Sequence, residues 1–167
     1  IGPVVAISAF NHPLNLIAHQ VGPAVASGCP VLVKPAKDTP LSCKSFVEIL
    51  YEAGLDESWC RFVPCSDGVA EKMVTDPRTA FFSFIGSARV GWMLRSKLAP
   101  GTRLALEHGG AAPIIVDDSV AHAKVIPPLL KGGFYHSGQV CVSVQRVFVP
   151  RAELPDFAAE LAAGAEA

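Results

Sequence analysis

The chain is sparing with charge and has no surplus of either sign. Charged residues fill 17% of its 167 positions, and the net charge is -1. Such a surface has no electrostatic footprint for nucleic acid or an anionic membrane. Long apolar runs are missing too: none approaches the ~20 residues a spanning helix needs. The opening "IGPVVAISAF" lacks a basic n-region and a small-residue cleavage site, so no signal peptide is read there. It also lacks an initiator Met, which leaves open a segment cut from something longer or a processed product. Cysteines number five (Cys29, Cys43, Cys60, Cys65 and Cys141), an odd count at irregular spacing. That is no disulfide framework, and without C-x-x-C or Cys/His zinc spacing no metal site is expected. A reducing, cytoplasmic compartment is the simplest reading, with most thiols buried as small hydrophobes. Internal repeats are absent, and the Ala-rich tail "AAELAAGAEA" is expected to fray.

What the chain does have is apolar residues, at half its positions, enough to fill a core. Short strand-like runs ("PVVAIS", "PVLVKP", "RFVP", "AFFSFIG", "TRLALE") alternate with four helical segments. The helical segments are "NLIAHQVGPAVASG", "DTPLSCKSFVEILYEAG", "DGVAEKMVTD" and "SARVGWMLRSKLAPG". Strands apolar on both faces, alternating with helices, predict an α/β fold. Its core is an open, mostly parallel, Rossmann-like sheet with helices on both faces and right-handed crossovers. "GGAAP" breaks the rhythm. Beyond it come a strand at "IIVD", a long helix from about Ser119 to Tyr135, a strand at "VSVQRVFV" and a helix from about Arg151. These read as the start of a second α/β lobe, with the boundary near Gly109-Gly110, giving units 1–108 and 109–167.

Five places can carry chemistry. In "FSFIGSARVG", Gly86-Ser87 lies between a strand and a helix, where backbone can approach a pyrophosphate at a helix N-terminus. The spacing is not G-x-G-x-x-G, and a tight turn with Gly91 packed on the sheet explains it equally well. Lys34 and Lys37 fall on the same sheet edge and read as ribose or phosphate contacts, or as solvated surface lysines. Asn11 follows the first strand, as an oxyanion donor or as a turn or helix-cap residue. Glu107 ends the fifth strand, where partial burial would suit a general base; a capping or salt-bridged Glu is the bland alternative. His108 beside it is a possible acid–base group or a neighbour with a backbone role. His12 and His19 have only turn and helix-face readings. Cys141, in a loop after Gly138 and before a strand, is a nucleophile if activated and a packed thiol otherwise.

The joint order is more telling than any one of these. Asn11, then Lys34-Pro35, Phe84-x-Gly86-Ser87, Glu107-x-Gly109-Gly110 and Gly138-Gln139-x-Cys141, with Arg146 five residues later, resembles the aldehyde dehydrogenase superfamily. The resemblance runs from "AISAFNHPLN" to "QRVFV", and 34 residues separate Glu107 from Cys141. It implies oxidation of an aldehyde with NAD or NADP, through a covalent adduct on Cys141. It gives Asn11 and the Cys141 amide the oxyanion and Glu107 the water. Ile7, Ser8 and Phe10 would lie along the dinucleotide, Lys34 and Lys37 at the adenine ribose, Gly86 and Ser87 at the pyrophosphate, and His108 nearby. Residues 1–108 would be part of the dinucleotide-binding domain and 109–167 the N-terminal part of the catalytic domain. NAD-preferring relatives often carry Glu where Lys37 stands, so NADP is expected to be tolerated or preferred. "FNHPLN" looks like the subgroup acting on small polar aldehydes. His108 replaces a usual Leu and Ala111 a common Lys. Family enzymes are about three times longer, so the resemblance implies an incomplete segment, inactive alone, of an enzyme that is a homo-oligomer at full length. Two other classes stay open: a non-catalytic remnant or interaction module on the same fold, and a cysteine hydrolase.

Overall fold

A computed structural model of the protein describes residues 1–166. The chain forms two compact units, Ile1–His108 and Gly109–Ala167.

The first unit is a five-stranded sheet. Its strands are β1 (Val4–Ile7), β2 (Val31–Lys34), β3 (Cys60–Phe62), β4 (Phe81–Ile85) and β5 (Arg103–Glu107). Their order is β3-β2-β1-β4-β5, and every pairing is parallel. Parallel neighbours need crossovers, supplied by α1 (Pro13–Ala26), α2 (Pro40–Glu52), α3 (Asp67–Thr75) and α4 (Ala88–Arg95). β1 is central, and all four of its residues are buried. Its alternation splits the core in two. Val4 and Ala6 join Ile17, Val21, Val33, Cys43 and Val47 on one face, while Val5 and Ile7 join Val74, Phe82, Phe84 and Leu94 on the other. Cys29, Cys43 and Cys60 are fully packed in the first of these layers. Burial pushes the Cys43 thiol up to about 12 and that of Cys60 up to about 11, so these thiols are inert packing groups.

The parallel sheet and the placement of its helices follow the sequence reading, but helix ends do not. α1 begins at Pro13, two residues before the first predicted residue, because proline is pre-shaped for the first helical turn. α4 stops at Arg95 rather than running to Gly101. There the Lys97 amide donates to Leu94 O and the Leu98 amide to Arg95 O, tightening the chain into turns.

The second unit pairs β6 (Pro113–Ile115) with β7 (Arg146–Phe148) in parallel, joined by α5 (His122–Phe134), with α6 (Leu154–Glu166) closing the chain. Val116, Ile126, Leu129 and Phe157 form its core. The predicted strand over 142–149 shrinks to three residues. Its first half is spent on a turn, where Ser143 N donates to Val140 O and Val144 N to Gly132 O instead of to a strand. α6 starts at Leu154, not Arg151, after a turn in which Glu153 N donates to Pro150 O.

α5 and α6 are clamped by one imidazole. His122 Nε2 lies 3.1 Å from Glu153 and Nδ1 3.3 Å from Glu160, and the ring meets Phe157 edge-on at 5.0 Å. The two carboxylates, Glu153 first, raise the His122 pKa above its ordinary value. A raised folded pKa gives stability that is fully present below the unfolded value of about 6.5 and is lost as pH climbs through the folded one. Urea unfolding followed on the second unit should therefore weaken from pH 6 to pH 8.5. His122→Gln should flatten that dependence; an unchanged slope in the variant would show that the clamp does not contribute it.

Candidate active site

The first crossovers of the sheet run from β1 outward to β2 and β3, and the chain then returns to place β4 on the other side of β1. The carboxyl ends of β1 and β4 thus flank a topological switch point, where open parallel sheets take their ligands. Gln20, buried in α1, spans this point by donating to Ile7 O at 3.2 Å and Ser83 O at 3.1 Å. The sequence reading missed it, and no pattern distinguishes it from other polar residues of an amphipathic helix.

Most candidate residues of the first unit fall on this edge. Ile7 ends β1, and Ser8 follows with its amide donating to Lys34 O at 3.1 Å. Ser8 is buried, and its hydroxyl has no hydrogen-bond partner among the described residues. Phe10, two residues on, is half exposed at 49%. Asn11 stands one residue before the α1 N-cap, which is His12. Gly86 leaves β4 with its amide on Glu107 O at 3.0 Å, and Ser87 is the N-cap of α4. A Cβ at Gly86 would come within 2.7 Å of the Phe84 ring, so packing alone already requires glycine there.

Lys34 is not the solvated lysine that composition favours. It is 6% exposed, and its ammonium reaches Pro35 O at 3.4 Å and the Asp67 carboxylate at 3.8 Å. Lys37, exposed, donates to the other Asp67 oxygen at 2.7 Å. Both bonds favour charge separation: Asp67 raises the Lys37 pKa, and Lys37 lowers that of Asp67. Beside them a hollow of about 410 Å³ is lined by Pro35, Lys37, Pro64, Cys65 and Ser66. That volume is in the range of small-molecule sites. Asp67 was also missed in the sequence, where "SDG" reads only as a helix start.

Glu107 ends β5 and is exposed, not partly buried as its strand-end position suggested. β5 is an edge strand whose alternate residues face outward, and Glu107 continues that outward set with Arg103 and Ala105. The imidazole of His108 is spent on packing. It meets Trp92 edge-on at 5.6 Å and Phe84 at 6.1 Å, and Nε2 is buried against Gly91 with no partner among the described residues. The residue as a whole is half-buried, and these ring contacts favour a packing role over proton transfer for His108. The Gly91 alternative, a glycine packed on the sheet side, holds.

In the second unit Cys141 sits in a turn, half-buried. The approach to it is strained. His136 and Ser137 have φ of 54° and 55°, left-handed values that cost a non-glycine residue roughly 1–2 kcal/mol each. Gly138 continues the same hand at 72°. The Ser143 hydroxyl, buried, donates to Gly138 O at 3.2 Å and fastens the turn from below. Gly110 lies against it: a Cβ there would be 2.7 Å from the Cys141 carbonyl oxygen, and Gln145 Nε2 donates to Gly110 O at 2.9 Å. Strain held by neighbours in this way gathers where a side chain must be aimed.

The family description "Aldehyde dehydrogenase family" matches residues 1–167. The chain belongs to the aldehyde dehydrogenase family. Among relatives in this family, 3-sulfolactaldehyde dehydrogenase of Priestia megaterium is 38% identical over 151 residues, 89% of this chain and 31% of that one. A solved aldehyde dehydrogenase of Mycobacterium tuberculosis, complexed with NAD+, superposes with a TM-score of 0.91 at 32% identity, over 97% of this chain and 34% of its own. Glyceraldehyde-3-phosphate dehydrogenase of Methanocaldococcus jannaschii, complexed with NADP, gives 0.90 at 32% identity, over 99% of this chain and 37% of its own. The chain thus spans about a third of the length of the relatives it matches. Among the described residues no helix is long and apolar enough to cross a membrane.

Proposed function

We propose that this segment carries the reacting groups of an NAD(P)-dependent aldehyde dehydrogenase. The observation that carries the reading is placement. Asn11 and Glu107 follow or end strands β1 and β5 of one parallel sheet, at the edge where such sheets take ligands, and Cys141 tops a strained, fastened turn. β4 alone lies between β1 and β5, so the two strand ends are roughly 10 Å apart.

On this reading the Cys141 thiolate attacks the aldehyde carbon. Asn11 and the Cys141 amide donate to the oxyanion, which costs least where donors are already oriented. The dinucleotide, when bound, supplies the hydride acceptor. The acyl group then rests on Cys141 as a thioester, and Glu107 takes a proton from the water that releases it. Ile7, Ser8 and Phe10 would line the dinucleotide, Lys34 and Lys37 its adenine ribose, Gly86 and Ser87 its pyrophosphate, and the His108 backbone the nicotinamide end. The fit is supported by the unpartnered, buried Ser8 hydroxyl and by the hollow beside Lys37. Residues 1–108 would then be part of the dinucleotide-binding domain and 109–167 the N-terminal part of the catalytic domain. We infer a small polar aldehyde as substrate, a cytoplasmic setting consistent with five free thiols, and a homo-oligomer at full length.

The test is aldehyde-dependent NAD(P)H formation by the family-length polypeptide that carries this segment, set against residues 1–167 alone. Turnover is expected only from the former. Absence of turnover across a panel of small aldehydes with both cofactors would overturn the reading, and turnover by the short chain would overturn its incompleteness.

A further inference from the structure

The Lys34–Asp67–Lys37 cluster sits where the proposed function puts the adenine ribose, and the sequence reading gave Asp67 no role. Lys37 in place of a carboxylate suggested that a 2′-phosphate would be welcome. The geometry is less simple. Lys37 Nζ is held by Asp67 Oδ2 at 2.7 Å, and the buried Lys34 ammonium lies 3.8 Å from Oδ1. A carboxylate therefore stands at this edge after all, reached from α3 instead of from position 37. Asp67 is the first residue of α3, and its side chain is 76% exposed, so its oxygens remain open to a ligand. The adjoining hollow is lined by Lys37 and by Ser66, the residue before Asp67.

We propose that Asp67 is the residue that sets the choice between NAD and NADP, and that it favours NAD. This rests on the ribose reading of Lys34 and Lys37. A carboxylate accepts from the 2′- and 3′-hydroxyls of a free ribose. The same carboxylate repels a 2′-phosphate and keeps the Lys37 ammonium from turning to it. With Asp67 present the cluster carries two positive charges and one negative. Without it, both ammoniums lose their shared carboxylate and Lys37 keeps only the neighbouring charge of Asp38, an arrangement closer to what a phosphate prefers. Position 37 thus supplies the cation and position 67 decides whether it is available.

The experiment is equilibrium binding of NAD+ and NADP+ to the family-length polypeptide, by calorimetry, with no turnover required. The unaltered protein should prefer NAD+ by about tenfold or more, equal to about 1.4 kcal/mol. Asp67→Asn should tighten NADP+ by at least about tenfold and weaken NAD+ by a few-fold, roughly inverting the preference. Asp67→Glu should keep the original order, which separates charge from folding. Lys37→Ala added to Asp67→Asn should cancel the NADP+ gain. If both dinucleotides bind and their ratio is the same in Asp67→Asn, the role of Asp67 is overturned while the ribose reading stands. If neither binds the unaltered protein, the ribose reading fails and takes the proposal with it.

Discussion

Cys141→Ala is expected to abolish NAD(P)H formation by the family-length enzyme, with kcat falling at least about 10³-fold, while dinucleotide binding is unchanged. An aldehyde is a poor hydride donor; its tetrahedral adduct on sulfur is a good one. Without the thiolate there is no adduct, and no other group in the turn can replace it. Val140 and Val142 flank the position, and the Ser143 hydroxyl is buried and committed to Gly138 O. Cys29, Cys43 and Cys60 cannot stand in, because they are buried in the core of the first unit. Glu107→Gln should fail differently. Adduct formation and the first hydride transfer survive, but hydrolysis of the thioester slows by about 10² to 10⁴-fold. Rapid mixing should then show a burst of NAD(P)H near one equivalent per site, followed by a slow steady state. A Cys141→Ala enzyme retaining a tenth of its activity would remove sulfur from the reaction, and a Glu107→Gln enzyme with neither burst nor slowed turnover would remove Glu107 from deacylation.

The sheet was legible because each strand advertises itself locally. β1 is four consecutive apolar residues, β-branched at three of them, and only a strand buried on both faces tolerates that. Helix identity was legible for the same reason, but helix ends were not. An end depends on which carbonyl the last amides find, as at Lys97 and Leu98, and no sequence pattern encodes that choice. The shortening of β7 has the same origin. "VSVQ" alternates like a strand, yet its backbone is drawn to Gly132 and Val140 and its Gln145 side chain to Gly110, partners 12 to 35 residues away or in the turn itself. The motif residues could be found from their order alone, whereas their surroundings could not. Nothing local says that Lys34 is buried, that Glu107 is exposed, or that Asp67 from another helix holds both lysines. The first and last are consequences of β2 and α3 meeting at one edge, and the second of β5 lying at the rim of the sheet, facts of topology rather than of spacing.

Gly91→Ala should destabilise the first unit, against the usual benefit of alanine in a helix. That benefit is about 1 kcal/mol. Opposing it, the new Cβ would lie 2.2 Å from His108 Nε2 and 3.1 Å from the Phe84 ring. The imidazole cannot step aside freely, because Trp92 meets it on one side and Phe84 on another. Overpacking of this kind costs roughly 1–3 kcal/mol, so the expected net loss is up to about 2 kcal/mol in urea unfolding. The cause can be isolated by His108→Ala. In that background the closest obstacle is gone, only the milder Phe84 contact remains, and Gly91→Ala should become neutral or stabilising. The double-mutant cycle should then return a coupling of at least about 1 kcal/mol between the two positions. Simple additivity would mean that His108 yields without cost, and that its enclosure between α4 and β4 is looser than these contacts describe. The same cycle bears on chemistry. If His108 packs and does not transfer protons, His108→Ala in the family-length enzyme should change stability while leaving the pH dependence of kcat in place.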